Sequence, residues 1–169
     1  MTRSVEWQGD YLRVVREGRW EYVERSRGAG AVVILAEHGG RIILIEQKRV
    51  PLGGRCCIEL PAGLVGDEDD KGVEETAIKE LEEETGYRAE RVERLGEFHS
   101  SPGMTGEGYT LVRAHGLTKV GNGGGTEHEE IEVHLVERER IAGFIAERRA
   151  AGAAIDTKLL LLLGSSFNI

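Results

Sequence analysis

The sequence predicts an α/β fold, a mixed sheet with helices on both faces, and three observations predict it. Ala31-Val32-Val33-Ile34-Leu35-Ala36 is a continuous apolar run, as a strand buried on both sides requires. Gly72 to Glu84 is a run of good helix formers with acids in its first turn and Gly86 just beyond its end. Near the C-terminus an alternating strand pattern, Ile131 to Val136, is followed by helical patterns over Glu137 to Arg149 and Asp156 to Leu163, split by the Ala151-Gly152 turn.

The remaining elements follow in order. From Val5 to Arg27, short stretches of alternating polarity separated by Gly-Asp and Glu-Gly turns predict a hairpin or meander. Arg41 to Gln47 is a second central strand after the His38-Gly39-Gly40 turn. Residues 50 to 63, with Pro51, Gly53, Gly54 and Pro61, predict a loop around a short strand at Cys57 to Leu60. Arg91 to Phe98 and Tyr109 to His115 are strand-like and flank a loop containing Ser100-Ser101-Pro102-Gly103. In Ile131 to Val136 the alternation of Ile131, Val133 and Leu135 with Glu132 and His134 implies one wet face.

Composition excludes several classes of function. The chain has 169 residues, enough for one domain with a sizeable core. With 22 basic against 30 acidic residues the net charge is −8 and the basic residues are scattered, which argues against a nucleic-acid-binding surface. Anionic substrates would need a metal or local arginines. The two cysteines, Cys56 and Cys57, are adjacent, which suits neither a disulfide framework nor a metal site and points to a reducing cytoplasm. No signal-peptide pattern is present, and Leu159 to Leu163 is far too short to span a bilayer, so a soluble protein is expected. His99, His115, His128 and His134 show no metal-ligand spacing and are assigned local hydrogen bonding only.

The acidic helix carries the chemistry. Residues placed ~100° apart put Val73, Ala77 and Leu81 on one flank, with Glu80 and Glu84 among them and Glu83 at the border, while Glu75 and Glu82 point away. A Glu-rich stretch in an acidic chain is commonly a solvated face. The inward position of Glu80 and Glu84 argues instead for carboxylates crowded beside apolar groups, which need raised pKa values or a cation between them. Spacings of i, i+3 and i+4 bring three carboxylates to one point, and a hard divalent ion such as Mg²⁺ meets that need.

Lys79-Glu80-Leu81-Glu82-Glu83-Glu84-Thr85-Gly86-Tyr87 resembles the second half of the Nudix box, REUXEEXGU with U apolar, and Gly63 resembles the glycine that opens it. Two features depart from the pattern. Lys79 stands where the family has Arg, and lysine lacks the two-pronged hold on a carboxylate. The interval from Gly63 to Lys79 is 16 residues where the box has 14, so Glu68, Asp69 and Asp70 are all candidates for the middle acid. The resemblance implies an α/β/α sandwich over residues 28–169, preceded by a strand extension, residues 1–27, that members of the ADP-ribose pyrophosphatase branch commonly exchange in a homodimer.

It further implies a pyrophosphohydrolase that cleaves ADP-ribose to AMP and ribose 5-phosphate. Glu80, Glu83, Glu84 and the Ala62 carbonyl would hold Mg²⁺ or Mn²⁺, with Glu83 also catalytic. The glycine run 121–125, which leads into Thr126-Glu127-His128-Glu129-Glu130, reads from its residues as a lid hinge or a disordered surface loop. The resemblance makes Glu127 or Glu129 the catalytic carboxylate of an acidic loop before the last strand. Pro102, 16 residues beyond Gly86, marks the ADP-ribose branch. Pro102, Gly103, Glu59 and Arg49 are the implied substrate contacts. Arg49 resembles a phosphate-holding arginine, although alone it is a surface arginine at a strand end. Trp20, with Tyr22, suits stacking on an adenine as well as a core or dimer contact. Hydrolysis of another nucleoside diphosphate sugar and non-catalytic binding of ADP-ribose by a regulator are the alternatives, and neither a nucleic acid nor a membrane is an expected partner.

Overall fold

The computed structural model describes residues 2–27, 30–66, 72–126 and 129–164. The N-terminal meander forms as its alternation and turns predict: β1 (Arg3–Gln8), β2 (Leu12–Glu17) and β3 (Trp20–Arg25) pair in order, antiparallel. Glu24 ties the three strands together by ion pairs to Arg3 and Arg13, each at 2.7 Å. The meander joins the rest of the chain through β3, where Val23 bridges Thr105 and Arg25 pairs with Glu107. It leaves Val5, Trp7, Tyr11, Leu12 and Trp20 exposed.

Next come β4 (Ala31–Leu35), β5 (Glu37–His38), β6 (Arg41–Arg49), β7 (Arg55–Glu59) and β8 (Ala62–Leu64). The acidic helix α1 (Val73–Thr85) is followed by β9 (Tyr87–Arg88), β10 (Arg91–His99), β11 (Gly108–His115), β12 (Thr118–Lys119) and β13 (Ile131–Glu137). The chain then forms α2 (Ile141–Ala150), β14 (Ala154–Ile155) and a 3-10 helix, Thr157–Leu163. One sheet has the order β10-β11-β4-β8 and the other β13-β6-β7-β14, while β9 and β12 form a small ribbon. β11 runs parallel to β4 and β14 parallel to β7, so both sheets are mixed.

Two apolar layers flank these strands. Val32, Ile34 and Ile43 pack with Ala77 and Leu81 of α1, whereas Val33, Leu35, Ile42 and Leu44 pack with Ile141 and Ile145 of α2. This division explains why β4 and β6 are continuous apolar runs: successive side chains serve opposite layers. Ile42, Ile43, Leu44 and Ile45 are all fully buried, and each contributes about 1.5–3 kcal/mol by leaving water, which makes β6 the anchor of the α/β/α sandwich.

Local differences from the sequence expectations have physical causes. Thr157–Leu163 is 3-10 rather than α-helical; the Asp156 carboxylate accepts from the Lys158 N–H at 2.7 Å, and a run this short does not repay α-helix nucleation. β13 does not have one wet face, because His134 is drawn against Glu46 and the Phe144 ring while Leu135 is exposed. Cys57 is buried, which pushes its thiol up to about 12, and neither it nor Cys56 is in a disulfide. No helix among the described residues is long and apolar enough to cross a membrane.

Candidate active site

Helix α1 begins at Gly72, carries Glu74 and Glu75 in its first turn where the helix dipole favours them, and stops at Gly86 with φ 71°. Its apolar flank is fully buried at Ala77 and Leu81, and Glu84 on the same flank is only 4% exposed. Glu80 and Glu83 are half-buried and Glu75 is exposed, as the wheel expects, but Glu82 is half-buried too rather than fully solvated. Glu82 turns outward to Arg88 at 2.7 Å.

Strand β8 crosses this flank and meets the carboxylates with its backbone. The Ala62 N–H donates to Glu84 Oε2 at 3.0 Å. Glu80 lies so close over Gly63 that a Cβ there would displace its carboxyl group. Burial pushes the Glu84 carboxyl up to about 8, aided by the Glu80 and Glu129 charges and opposed by the Ala62 N–H and, more weakly, by Arg49. A buried oxygen ligand repelled by two neighbouring carboxylates fits a divalent cation, the charge that would let it ionise at neutral pH.

Arg49 and Glu59 reach the same side of the sheet from β6 and β7. Their side chains form a forked pair, with Nε to Oε1 at 2.7 Å and Nη2 to Oε2 at 2.5 Å. Glu59 is nearly buried and Arg49 is 42% exposed, so the carboxylate fixes a guanidinium that faces outward. The same pairing raises the Arg49 pKa above its ordinary value. Both oxygens of Glu59 thus go to Arg49, a role that residue type and spacing do not disclose until the β6–β7 register is known.

Glu83 lies 3.5 Å from Lys79, one turn back on the helix, and borders a groove shared with Ile78, Glu82 and Arg88. The glycine run 121–125 packs against the end of α1: Gly124 and Gly125 donate to the carbonyls of Glu84 and Glu83 at 2.9 and 3.0 Å. This replaces the hinge or disordered loop expected from composition, because backbone without side chains can lie directly on the helix end. Glu129 follows, its Oε2 accepting from Thr126 N–H and Oγ1 at 3.0 and 3.1 Å. Glu127 lies outside the described residues, as do Glu68, Asp69 and Asp70.

Pro102 and Gly103 sit in an exposed turn in which Met104 N–H donates to Ser101 O at 2.9 Å. That turn is where β3 docks, Val23 N–H donating to Met104 O at 2.9 Å. Trp20 is at the start of β3, 56% exposed, three residues before that bridge. The turn therefore links the meander to the loop named from the sequence.

A second polar group was not foreseen. On the α2 side, Glu46 accepts from Arg148 and lies 3.0 Å from His134 Nε2, with Glu132 at 3.8 Å from Nδ1. Glu46, Glu132 and His134 have the spacing of metal ligands, but Arg148 already places a cation on the buried Glu46. Strand parity could have put Glu46 and His134 on one face; the arrival of Arg148 depends on how α2 packs.

Known proteins resemble this chain along most of its length. It is 39% identical over 136 residues to a methanol dehydrogenase activator of Bacillus methanolicus, covering 80% of this chain and 71% of that one. It is 36% identical over 158 residues to a GDP-mannose pyrophosphatase of Cronobacter sakazakii, covering 89% and 78%. Over 79 residues it is 44% identical to an ADP-ribose pyrophosphatase of Bacillus subtilis, covering 46% and 41%. A solved structure described as an ADP compounds hydrolase shares the fold with a TM-score of 0.69 at 19% identity, covering 96% of this chain and 90% of that one. The NUDIX domain family model matches residues 24–156, a span that contains β8, α1, the glycine run and Glu129. The chain, with its buried helix carboxylates set against a glycine strand, belongs to the NUDIX domain family.

Proposed function

We propose that this Nudix chain hydrolyses the diphosphate of ADP-ribose to AMP and ribose 5-phosphate in a reaction dependent on Mg²⁺ or Mn²⁺. The observation that carries the reading is the crowding of Glu80 and Glu84 against the Ala62-Gly63 backbone, with Glu129 and Arg49 close enough for their charges to act on Glu84. Glu80, Glu83, Glu84 and the Ala62 carbonyl would hold the metal, which when bound neutralises diphosphate charge and acidifies a coordinated water. Of the two candidate carboxylates, Glu127 and Glu129, we take Glu129, whose charge reaches Glu84, as the acceptor of the attacking water's proton. Oxygen adds to one phosphorus, the bridging P–O bond breaks, and the two monophosphates leave. Arg49, held by Glu59, faces the phosphate; Pro102 and Gly103 border the sugar end.

The homodimer belongs to the same proposal. Trp7, Tyr11 and Trp20 are large side chains exposed on a meander that touches its own chain mainly through β3. Exchange of residues 1–27 between two chains would cover them and bring Trp20 to the partner's adenine. Sedimentation should show a dimer, and deletion of residues 2–27 a monomer; a monomeric full chain ends this reading. The unpaired adjacent cysteines suit the cytoplasm, which cell fractionation checks.

The test is AMP release from ADP-ribose, ADP-glucose, GDP-mannose and NADH with Mg²⁺ or Mn²⁺, repeated in EDTA. Metal-dependent cleavage chiefly of ADP-ribose is expected. In Arg49→Lys, KM for ADP-ribose should rise about tenfold, since one good charged hydrogen bond is worth ~1.5–3 kcal/mol; an unchanged KM removes Arg49 from the phosphate. A second reading has its own support: the GDP-mannose pyrophosphatase relative aligns with more of this chain than the ADP-ribose pyrophosphatase does. Preference for GDP-mannose would keep the mechanism and change the substrate. Binding of ADP-ribose without turnover would instead favour a regulator.

A further inference from the structure

We infer that the Lys119–Gly125 segment is a positioning clamp, which sets Glu129 in register with the metal helix by bonding to the backbone of that helix's own carboxylate residues. The inference rests on the hydrolase reading above, in which Glu129 is the base.

A helix leaves its last four carbonyls without intrahelical partners, and these are usually met by local turns or water. In α1 the distant segment meets most of them. Thr85 O accepts from Lys119 Nζ at 2.8 Å, Glu84 O from Gly124 N–H at 2.9 Å and Glu83 O from Gly125 N–H at 3.0 Å. Gly86 O accepts from Val120 and Gly121 N–H at 2.9 and 3.1 Å. The Lys119 ammonium also lies 4.5 Å from the centre of the Tyr87 ring and faces the negative end of the helix dipole.

Such close approach needs bare backbone. Gly123 has φ 70°, and a Cβ on it would collide with the Thr85 backbone. Beyond it, Gly125 carries the Glu129 side chain folded over it; a Cβ there would stand 2.8 Å from Glu129 Oε2. Ile131 N–H donates to Gly124 O at 3.3 Å and Glu129 N–H to Thr126 O at 3.0 Å, which ties Glu129 and Ile131 back to the clamp. From the other side Lys48 Nζ holds Glu130 at 2.8 Å, beside Arg49 on β6. The carboxylate that takes the proton and the helix that holds the metal are therefore joined through backbone bonds at Glu83 and Glu84.

A double-mutant cycle on ADP-ribose hydrolysis tests this, with Gly123→Ala, Glu129→Gln and the pair. Gly123→Ala should lower kcat by about 100-fold, the scale of a 1 Å misplacement, with KM and Mn²⁺ affinity within about threefold of wild type. The pair should be no slower than Glu129→Gln alone, because a clamp that acts through Glu129 has nothing left to position. Losses that multiply would show a merely structural helix cap and overturn the clamp, as would a Gly123→Ala enzyme of wild-type kcat. Should Gly123→Ala fail to fold, Lys119→Met runs the same cycle, since it removes the bond to Thr85 O without adding a Cβ to the glycine backbone. Wild-type kcat in Glu129→Gln overturns the clamp while leaving the hydrolase reading intact; a wild-type chain with no turnover overturns both.

Discussion

Glu84→Gln is expected to lower kcat by about a thousandfold or more while the protein stays folded. Stabilisation of transition-state charge by a bound metal is worth several kcal/mol, and each ~1.4 kcal/mol is tenfold in rate. Glutamine fills the same volume in a site only 4% exposed, and its amide oxygen can still accept from the Ala62 N–H. Its amide hydrogens find acceptors in the neighbouring carboxylates. Alanine would be a poorer probe, because it leaves both a void and an unpaired Ala62 N–H, the latter costing about 1–3 kcal/mol. Steady-state kinetics beside a thermal melt reads both halves of the prediction. A folded Glu84→Gln enzyme within tenfold of wild type would remove the buried carboxylate from metal binding.

In EDTA, stability should fall as pH rises from about 4.5 to about 8. The Glu84 carboxyl is raised from 4.5 to about 8 by burial and by the charges of Glu80 and Glu129. In that window the folded chain keeps a proton that the unfolded chain has released, so unfolding releases a proton and the slope is negative. One such group contributes up to ~1.4 kcal/mol per pH unit. Glu74 and Glu82, lowered by Arg94 and Arg88, act with the opposite sign, and only as pH falls below the ordinary carboxylate range. Mg²⁺ must displace the Glu84 proton, so the rise in Tm that it produces should be larger at pH 8 than at pH 6. Glu84→Gln should flatten the slope in EDTA and blunt the Mg²⁺ response. Equal slopes in the two proteins would show that another group governs this window.

These expectations rest on a helix that was legible from its residues. The 3.6-residue period alone separates Ala77, Leu81 and Glu84 from Glu75, because a helix wheel depends only on local geometry. Likewise the unbroken run Ala31 to Leu35 required burial on both faces, and the structure gives Val32 to one layer and Val33 to the other. By itself, then, the sequence determined the main elements, the inward carboxylates of α1 and the family to which they belong.

Tertiary structure decided what meets those carboxylates. The forked Arg49–Glu59 pair depends on the register of β6 and β7, and the Glu46–His134–Arg148 group on the packing of α2. Gly121 to Gly125 read as loose chain because glycine lowers local order when nothing opposes it. Its carbonyl partners at Glu83 and Glu84 lie far away in sequence, and only the fold brings backbone to backbone closely enough for the missing side chains to become a fit. Local periodicity is written in neighbouring residues, whereas a contact between distant segments is written in neither of them alone.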